Sequence, residues 1–179
     1  MNHSFSDRLQ SIIRNVTDFP KKGIVFRDIT TLLQDKNAFT SVIDTLVEQY
    51  RNIPIDAVVG IESRGFIVGA ALAHRLGVGF VPIRKPGKLP AATLREEYAL
   101  EYGTDAIEIH ADALKKGSRV LIHDDLLATG GTVAASCRLV ERLGAIVVGI
   151  SFIIELTFLH GRAKLQGYQV TSLVQYDSE

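Results

Sequence analysis

An α/β domain with a central, mostly parallel sheet is the fold this sequence predicts, on three observations. Short runs that are apolar on both faces, such as Ala57-Val58-Val59-Gly60-Ile61, alternate with segments of helical periodicity. Glycine-bearing turns punctuate the alternation. The 179 residues carry no repeat, low-complexity run or long linker, so the pattern fills one domain, 1–179.

Leu9, Ile12, Ile13 and Val16 follow i, i+3, i+4, i+7 spacing and predict an amphipathic first helix, capped by Ser4 or Ser6. Phe19-Pro20-Lys21-Lys22-Gly23 breaks it, and Ile24-Val25-Phe26 reads as a short extended piece. Phe39, Val42, Ile43, Leu46, Val47 and Tyr50 form the clearest helical face, with Asp35 as its cap. Beyond Pro54, Ala57 to Ile61 is a buried strand, Gly65 to Leu76 a helix ended by Gly77, and Phe80 to Ile83 a second strand. Val120-Leu121-Ile122 is a third, followed through a glycine-rich turn by a helix from Val133 to Leu143. Ala145 to Ile154 and Val170 to Val174 complete the sheet. Sheets of this kind bind ligands at the carboxyl ends of their strands, just after Ile61, Ile83, Ile122 and Ile154.

Lysine plus arginine total 20, as do aspartate plus glutamate, so the net charge is zero. Bulk attraction to nucleic acid or an anionic membrane is not expected. The longest apolar stretch, Ala145 to Ile154, is broken by Gly149 and Ser151 and is too short to span a bilayer. Met1 to Gln10 is polar and lacks a secretory core, which points to the cytoplasm. The single cysteine, Cys137, excludes an intrachain disulfide and shares a helix face with Val133 and Val140, so a buried thiol is expected. A phosphate-binding Gly-x-x-x-x-Gly-Lys is missing, since Pro82 stands where its first glycine belongs. Gly77-x-Gly79 lacks the third glycine of a dinucleotide fingerprint, and Ile61 denies Ser63 a nucleophile elbow. The five histidines show no metal-ligand spacing.

The informative segment follows Val120-Leu121-Ile122-His123. There Asp124 and Asp125 precede Leu126-Leu127 and then Ala128-Thr129-Gly130-Gly131-Thr132, where a helix begins. The glycines let backbone N–H groups approach a ligand at a positive helix end, a pocket for a phosphate monoester. The paired carboxylates lie about one sugar's length away, suited to vicinal hydroxyls or a magnesium hydration shell. A capped helix after an acidic turn is the plainer reading of Thr-Gly-Gly-Thr alone.

Asp124 to Thr132 resembles the phosphoribosyl diphosphate signature of type I phosphoribosyltransferases, in the form met in their adenine-using branch. The resemblance runs from about Asp18 to Tyr176, through Phe26-Arg27-Asp28-Ile29, Glu62-Ser63-Arg64-Gly65-Phe66, Arg84-Lys85-Pro86-Gly87-Lys88-Leu89-Pro90 and Leu100-Glu101-Tyr102-Gly103. One departure is His123, where an aliphatic strand residue is usual; it is expected to pack or to point at a neighbouring strand. The resemblance implies the type I fold, with a small N-terminal hood (mainly 1–35) and a mobile lid (about 85–103). It implies transfer of the phosphoribosyl group from phosphoribosyl diphosphate to adenine, giving AMP and diphosphate, with Mg2+ held mainly by substrate and water near Asp124 and Asp125. It also implies a homodimer.

Site residues carry over one by one. Ser63 and Arg64 lie in a turn that would cradle the diphosphate, with a cis peptide between Glu62 and Ser63. Arg84 and Lys88 would contact the diphosphate, joined by Lys85 and Tyr102. Asp124 and Asp125 would hold the ribose hydroxyls; Ala128, Thr129, Gly130, Gly131 and Thr132 would hold the 5′-phosphate. Phe26 would stack on adenine, backbone groups of Val25 and Arg27 would read its edge, and Leu156 would cover its other face. Hypoxanthine and guanine enzymes carry an aspartate at the Ala128 position, so the proton-transfer role falls to Glu101, which sequence chemistry alone does not separate from Glu96 and Glu97. A purine-sensing regulator without catalysis is a rival reading, as is a transferase for another base such as xanthine. The chain has no room for the DNA-binding module such regulators append.

Overall fold

The computed structural model describes residues 4–99 and 103–179. Its core is a five-stranded sheet made of β3 (Ala57–Ile61), β4 (Gly79–Ile83), β7 (Arg119–Leu127), β8 (Ile146–Leu156) and β9 (Val170–Tyr176), in the order β4-β3-β7-β8-β9. Every pairing within it is parallel, as strands apolar on both faces require. A register shift between Val120 and Leu121 places the far half of β7 opposite β8, bringing Asp124 beside Phe152 and Leu127 beside Glu155. Phe152 is fully buried at the sheet centre, where truncation to alanine would cost about 3–5 kcal/mol.

The two faces of the sheet are covered differently. One packs against α1 (Phe5–Ile12), α3 (Lys36–Tyr50) and α4 (Gly65–Leu76), through Leu9, Val42, Leu46, Val68 and Leu72. α3 starts where Asp35 accepts hydrogen bonds from the N–H groups of Asn37 and Ala38, the cap the sequence predicts. α4 ends at Gly77, also as predicted. The other face packs against α5 (Gly131–Arg142) and an antiparallel hairpin, β5 (Thr93–Ala99) with β6 (Thr104–His110). Cys137 is buried there, and burial pushes its thiol up to about 12.

Two expectations are corrected. The first helix stops at Ile12, capped by Ser4, and Val16 belongs instead to β1 (Arg14–Thr17), paired antiparallel with β2 (Val25–Asp28). Periodicity alone extends a helix to Val16, but Ile13 is already extended and Val16 pairs across the strands with Phe26. The segment expected as a lid, about 85–103, contains a strand that the sequence does not predict, β5, whose inward positions are Leu94, Glu96 and Tyr98. The short α2 (Thr30–Gln34) follows β2.

Candidate active site

β7 extends further than its apolar run predicts. Pairing of Leu126 with Ile154 keeps it extended through the carboxylate pair, so Asp124 and Asp125 lie within the strand end and not beyond it. Asp124 Oδ1 accepts from the Asp125 N–H at 2.9 Å and packs against the start of α4. A Cβ on Gly65 would fall 2.8 Å from that oxygen, so only glycine lets α4 begin so close. Burial raises the Asp124 carboxyl well above its ordinary range, and the Asp125 charge adds to this. Burial raises Asp125 too, with Arg64 opposing.

Arg64 precedes α4, in the turn after β3 where the Glu62–Ser63 peptide is cis, as the resemblance implies. Its guanidinium also lies over the Phe26 ring, 4.9 Å from the centroid. Phe26 packs edge-on to Phe19, and an apolar hollow of about 360 Å³ opens among Val16, Phe19, Phe26, Asp28, Thr30 and Arg64. Asp28 is held down to about 2 by the Thr30 N–H and by Arg14, against its partial burial. A larger cavity of about 700 Å³ lies at the amino ends of β3 and β4, beside Asp56 and Gly79, and contains none of the predicted residues.

Beyond β7, Ala128 to Thr132 turn into α5. Gly130 adopts φ 78°, a left-handed conformation that suits glycine, and caps the helix without a side chain. The first N–H groups of α5 therefore have no side-chain acceptor, the arrangement that receives an anion. The turn rests on Gly161, in a short 3-10 turn (Gly161–Leu165) after β8: a Cβ there would meet Ala128 O at 2.2 Å, and one on Gly130 would meet Gly161 O at 2.4 Å. Sequence reasoning missed Gly161, whose only signal was its place between His160 and Arg162.

Arg84 follows β4 and reaches back to the Ser63 turn, where it pairs with both oxygens of Glu62 at 2.9 and 3.2 Å. Glu62 also accepts from the Lys85 N–H at 2.9 Å, and chiefly Arg84 lowers its pKa. Lys85 Nζ bonds to Asp105 and to the Tyr98 hydroxyl, tying this loop to the hairpin. The Arg84 guanidinium donates to the Lys88 carbonyl at 3.2 Å, while the Lys88 side chain is exposed. Glu101 and Tyr102 lie outside the described residues.

Leu156 ends β8, half-buried, next to Glu155. Glu155 was not foreseen. Its buried carboxylate takes two bonds from Arg162, at 2.6 and 2.7 Å, and one from Ser172 at 2.5 Å. Burial alone would raise its pKa, but these partners lower it. Val25 N–H donates to Glu179 Oε2 at 2.8 Å, so part of the edge expected to read a purine is already engaged. His123 is buried with Nδ1 2.8 Å from Ser151 Oγ on β8, and burial pulls its pKa down to about 3. It points at a neighbouring strand, as expected.

The family model of the phosphoribosyl transferase domain matches residues 28–171, most of the chain, from the end of β2 to the start of β9. The chain belongs to the phosphoribosyltransferase family. Among its relatives, the adenine phosphoribosyltransferase of Chloroflexus aurantiacus is 62% identical over 94% of this chain and 97% of its own length. The crystal structure of the adenine phosphoribosyltransferase from Thermoanaerobacter pseudethanolicus superposes with a TM-score of 0.93 at 55% identity, covering 97% of this chain and all (100%) of that one. The Saccharomyces cerevisiae adenine phosphoribosyltransferase, solved with an imino-altritol bisphosphate and adenine, superposes at 0.89 with 42% identity, over 94% of this chain and 98% of that one. As a phosphoribosyltransferase, the chain places its dyad, its glycine turn and Arg64 at one end of a parallel sheet, where such sheets bind ligands.

Proposed function

We propose that this phosphoribosyltransferase transfers the 5-phosphoribosyl group from phosphoribosyl diphosphate to adenine, giving AMP and diphosphate. One observation carries the reading: half-buried Asp124 and buried Asp125 stand near the end of β7, two residues ahead of an N–H-lined glycine turn, beside Arg64 and the Phe26 hollow. The full-length similarity to adenine phosphoribosyltransferases supports the choice of base.

In this reading the Ala128–Thr132 turn holds the 5′-phosphate, and Asp124 and Asp125 accept from the ribose hydroxyls. The bond from C1′ to the diphosphate oxygen loosens ahead of attack, leaving positive charge on the sugar and negative charge on the leaving group. Arg64, Arg84, Lys85 and Lys88, with Ser63 and Tyr102, receive the diphosphate. Arg84 would leave or share its pair with Glu62 to do so. Phe26 stacks on the base, Leu156 covers its other face, and the free backbone groups of Val25 and Arg27 read its edge. N9 forms the new bond to C1′, and Glu101 exchanges a proton with N7.

Magnesium fits this donor set. The dyad offers hard oxygen ligands, and buried Asp125 Oδ2 accepts no hydrogen bond. When bound, magnesium neutralises charge on the diphosphate. The reading also includes a homodimer, a lid at about 85–103 and a cytoplasmic setting, where a phosphorylated sugar donor is confined. No described helix is long and apolar enough to cross a membrane.

The test incubates the protein with phosphoribosyl diphosphate, magnesium and a panel of bases, scoring nucleotide and diphosphate. AMP from adenine, in preference to other products, is expected. Nucleotide formed only from other bases would overturn the assignment of adenine, and none from any base would overturn catalysis.

A further inference from the structure

β2 has a second neighbour besides β1. The Val25 N–H that bonds Glu179 points away from β1, and in an extended residue the C=O points the same way. Arg27, two residues on, faces the same edge. The segment that brings Glu179 there is anchored at several points. The Arg27 guanidinium lies over the Tyr176 ring at 4.0 Å and donates to Ser178 O at 3.1 Å and to Asn15 Oδ1 at 2.7 Å. The Thr157 hydroxyl sits 2.6 Å from Asp177 Oδ1 and 3.1 Å from Tyr176 O. Residues 176–179 therefore join β2 to the chain just past Leu156, the two elements assigned to opposite faces of the base.

We propose that Glu179 is a specificity-determining residue whose carboxylate favours a 6-amino over a 6-oxo purine. The inference rests on the reading above, in which Val25 and Arg27 backbone groups face the base. Val25 C=O only accepts, and beside it Glu179 adds a second acceptor with negative charge. A 6-amino group can donate into this pair. A 6-oxo group sets its lone pairs against both, so the site's acceptors go unpaired and like charges approach.

Glu179→Gln isolates the effect, because its amide oxygen can still accept from the Val25 N–H while the charge is lost. The readouts are KM for adenine, Ki for hypoxanthine as a competitor of adenine, KM for phosphoribosyl diphosphate, and melting temperature. In Glu179→Gln the ratio of hypoxanthine Ki to adenine KM should fall about tenfold, with the donor KM within about twofold of the parent. Glu179→Asp, which keeps the charge, should hold more of the preference than Glu179→Gln. An unchanged ratio, or parallel weakening of both bases as from a merely structural contact, would overturn the proposal. Failure of the underlying reading looks different: the parent chain itself would make no AMP from adenine.

Discussion

Arg64 Nε lies 2.8 Å from Asp125 Oδ2 at an angle that makes a charge contact and no hydrogen bond. Both groups are thus held near each other with bonding capacity to spare. The arginine can turn toward an incoming anion without stripping a well-formed bond from the aspartate, whose oxygen can take a hydroxyl.

The aspartate pair sets function against stability. Because Asp124 has its folded pKa raised, chiefly by burial and then by Asp125, the native state favours its protonated form. The resulting penalty is absent at pH values below the ordinary 3.8, grows as pH rises toward the folded value, and is constant above it. Asp124→Asn should therefore melt higher at pH 7, by about 2–4 °C for each kcal/mol relieved, with the gain vanishing toward pH 4. The same variant should bind phosphoribosyl diphosphate at least roughly tenfold more weakly at pH 7 by calorimetry. An equal melting gain at both pH values would remove this account of the pair.

Gly161→Ala should weaken phosphoribosyl diphosphate binding although its side chain would touch no substrate. The added carbon would sit 2.2 Å from Ala128 O, and the turn before α5 must move to admit it. A rise of about tenfold or more in the donor KM is expected, with a stability loss of about 1–3 kcal/mol by denaturant titration. Parent-like donor affinity would show that the turn is not buttressed here.

Phe26→Ala should raise KM for adenine more than KM for phosphoribosyl diphosphate, since the ring lines the apolar hollow and Arg64 retains its contact with Asp125. Loss of one stacked aromatic corresponds to roughly 1–3 kcal/mol, or about 5- to 150-fold. Equal changes in both constants would argue against stacking.

Glu101→Gln should lower turnover by about 10²–10⁴, the range for a proton-transfer group, with little change in donor binding. Single-turnover mixing is the appropriate measurement, because it separates chemistry from product release. Unchanged single-turnover rates would return the role to another group.

The strands of the main sheet were legible because they are apolar on both faces, and the dyad and its turn because they are contiguous. β5 was hidden by Glu96, a charge at an inward position where alternation demands an apolar residue. Its partners Arg138 and Arg142 lie on α5, far off in sequence, and hold it at 2.6 and 2.8 Å. The same non-locality concealed Glu62 with Arg84 and Glu179 with Val25. Val16 was misplaced because its spacing satisfies a helix while its neighbours Arg14, Asn15 and Thr17 satisfy a strand.

The short span from Leu156 to Gly161 begins at the residue proposed to cover the base and ends at the glycine packed against the turn proposed to hold the phosphate. Kinetic dissection by substitution is therefore confounded within it, since one change can perturb acceptor and donor constants together. Separating the substrates by mutagenesis demands positions outside this bridge.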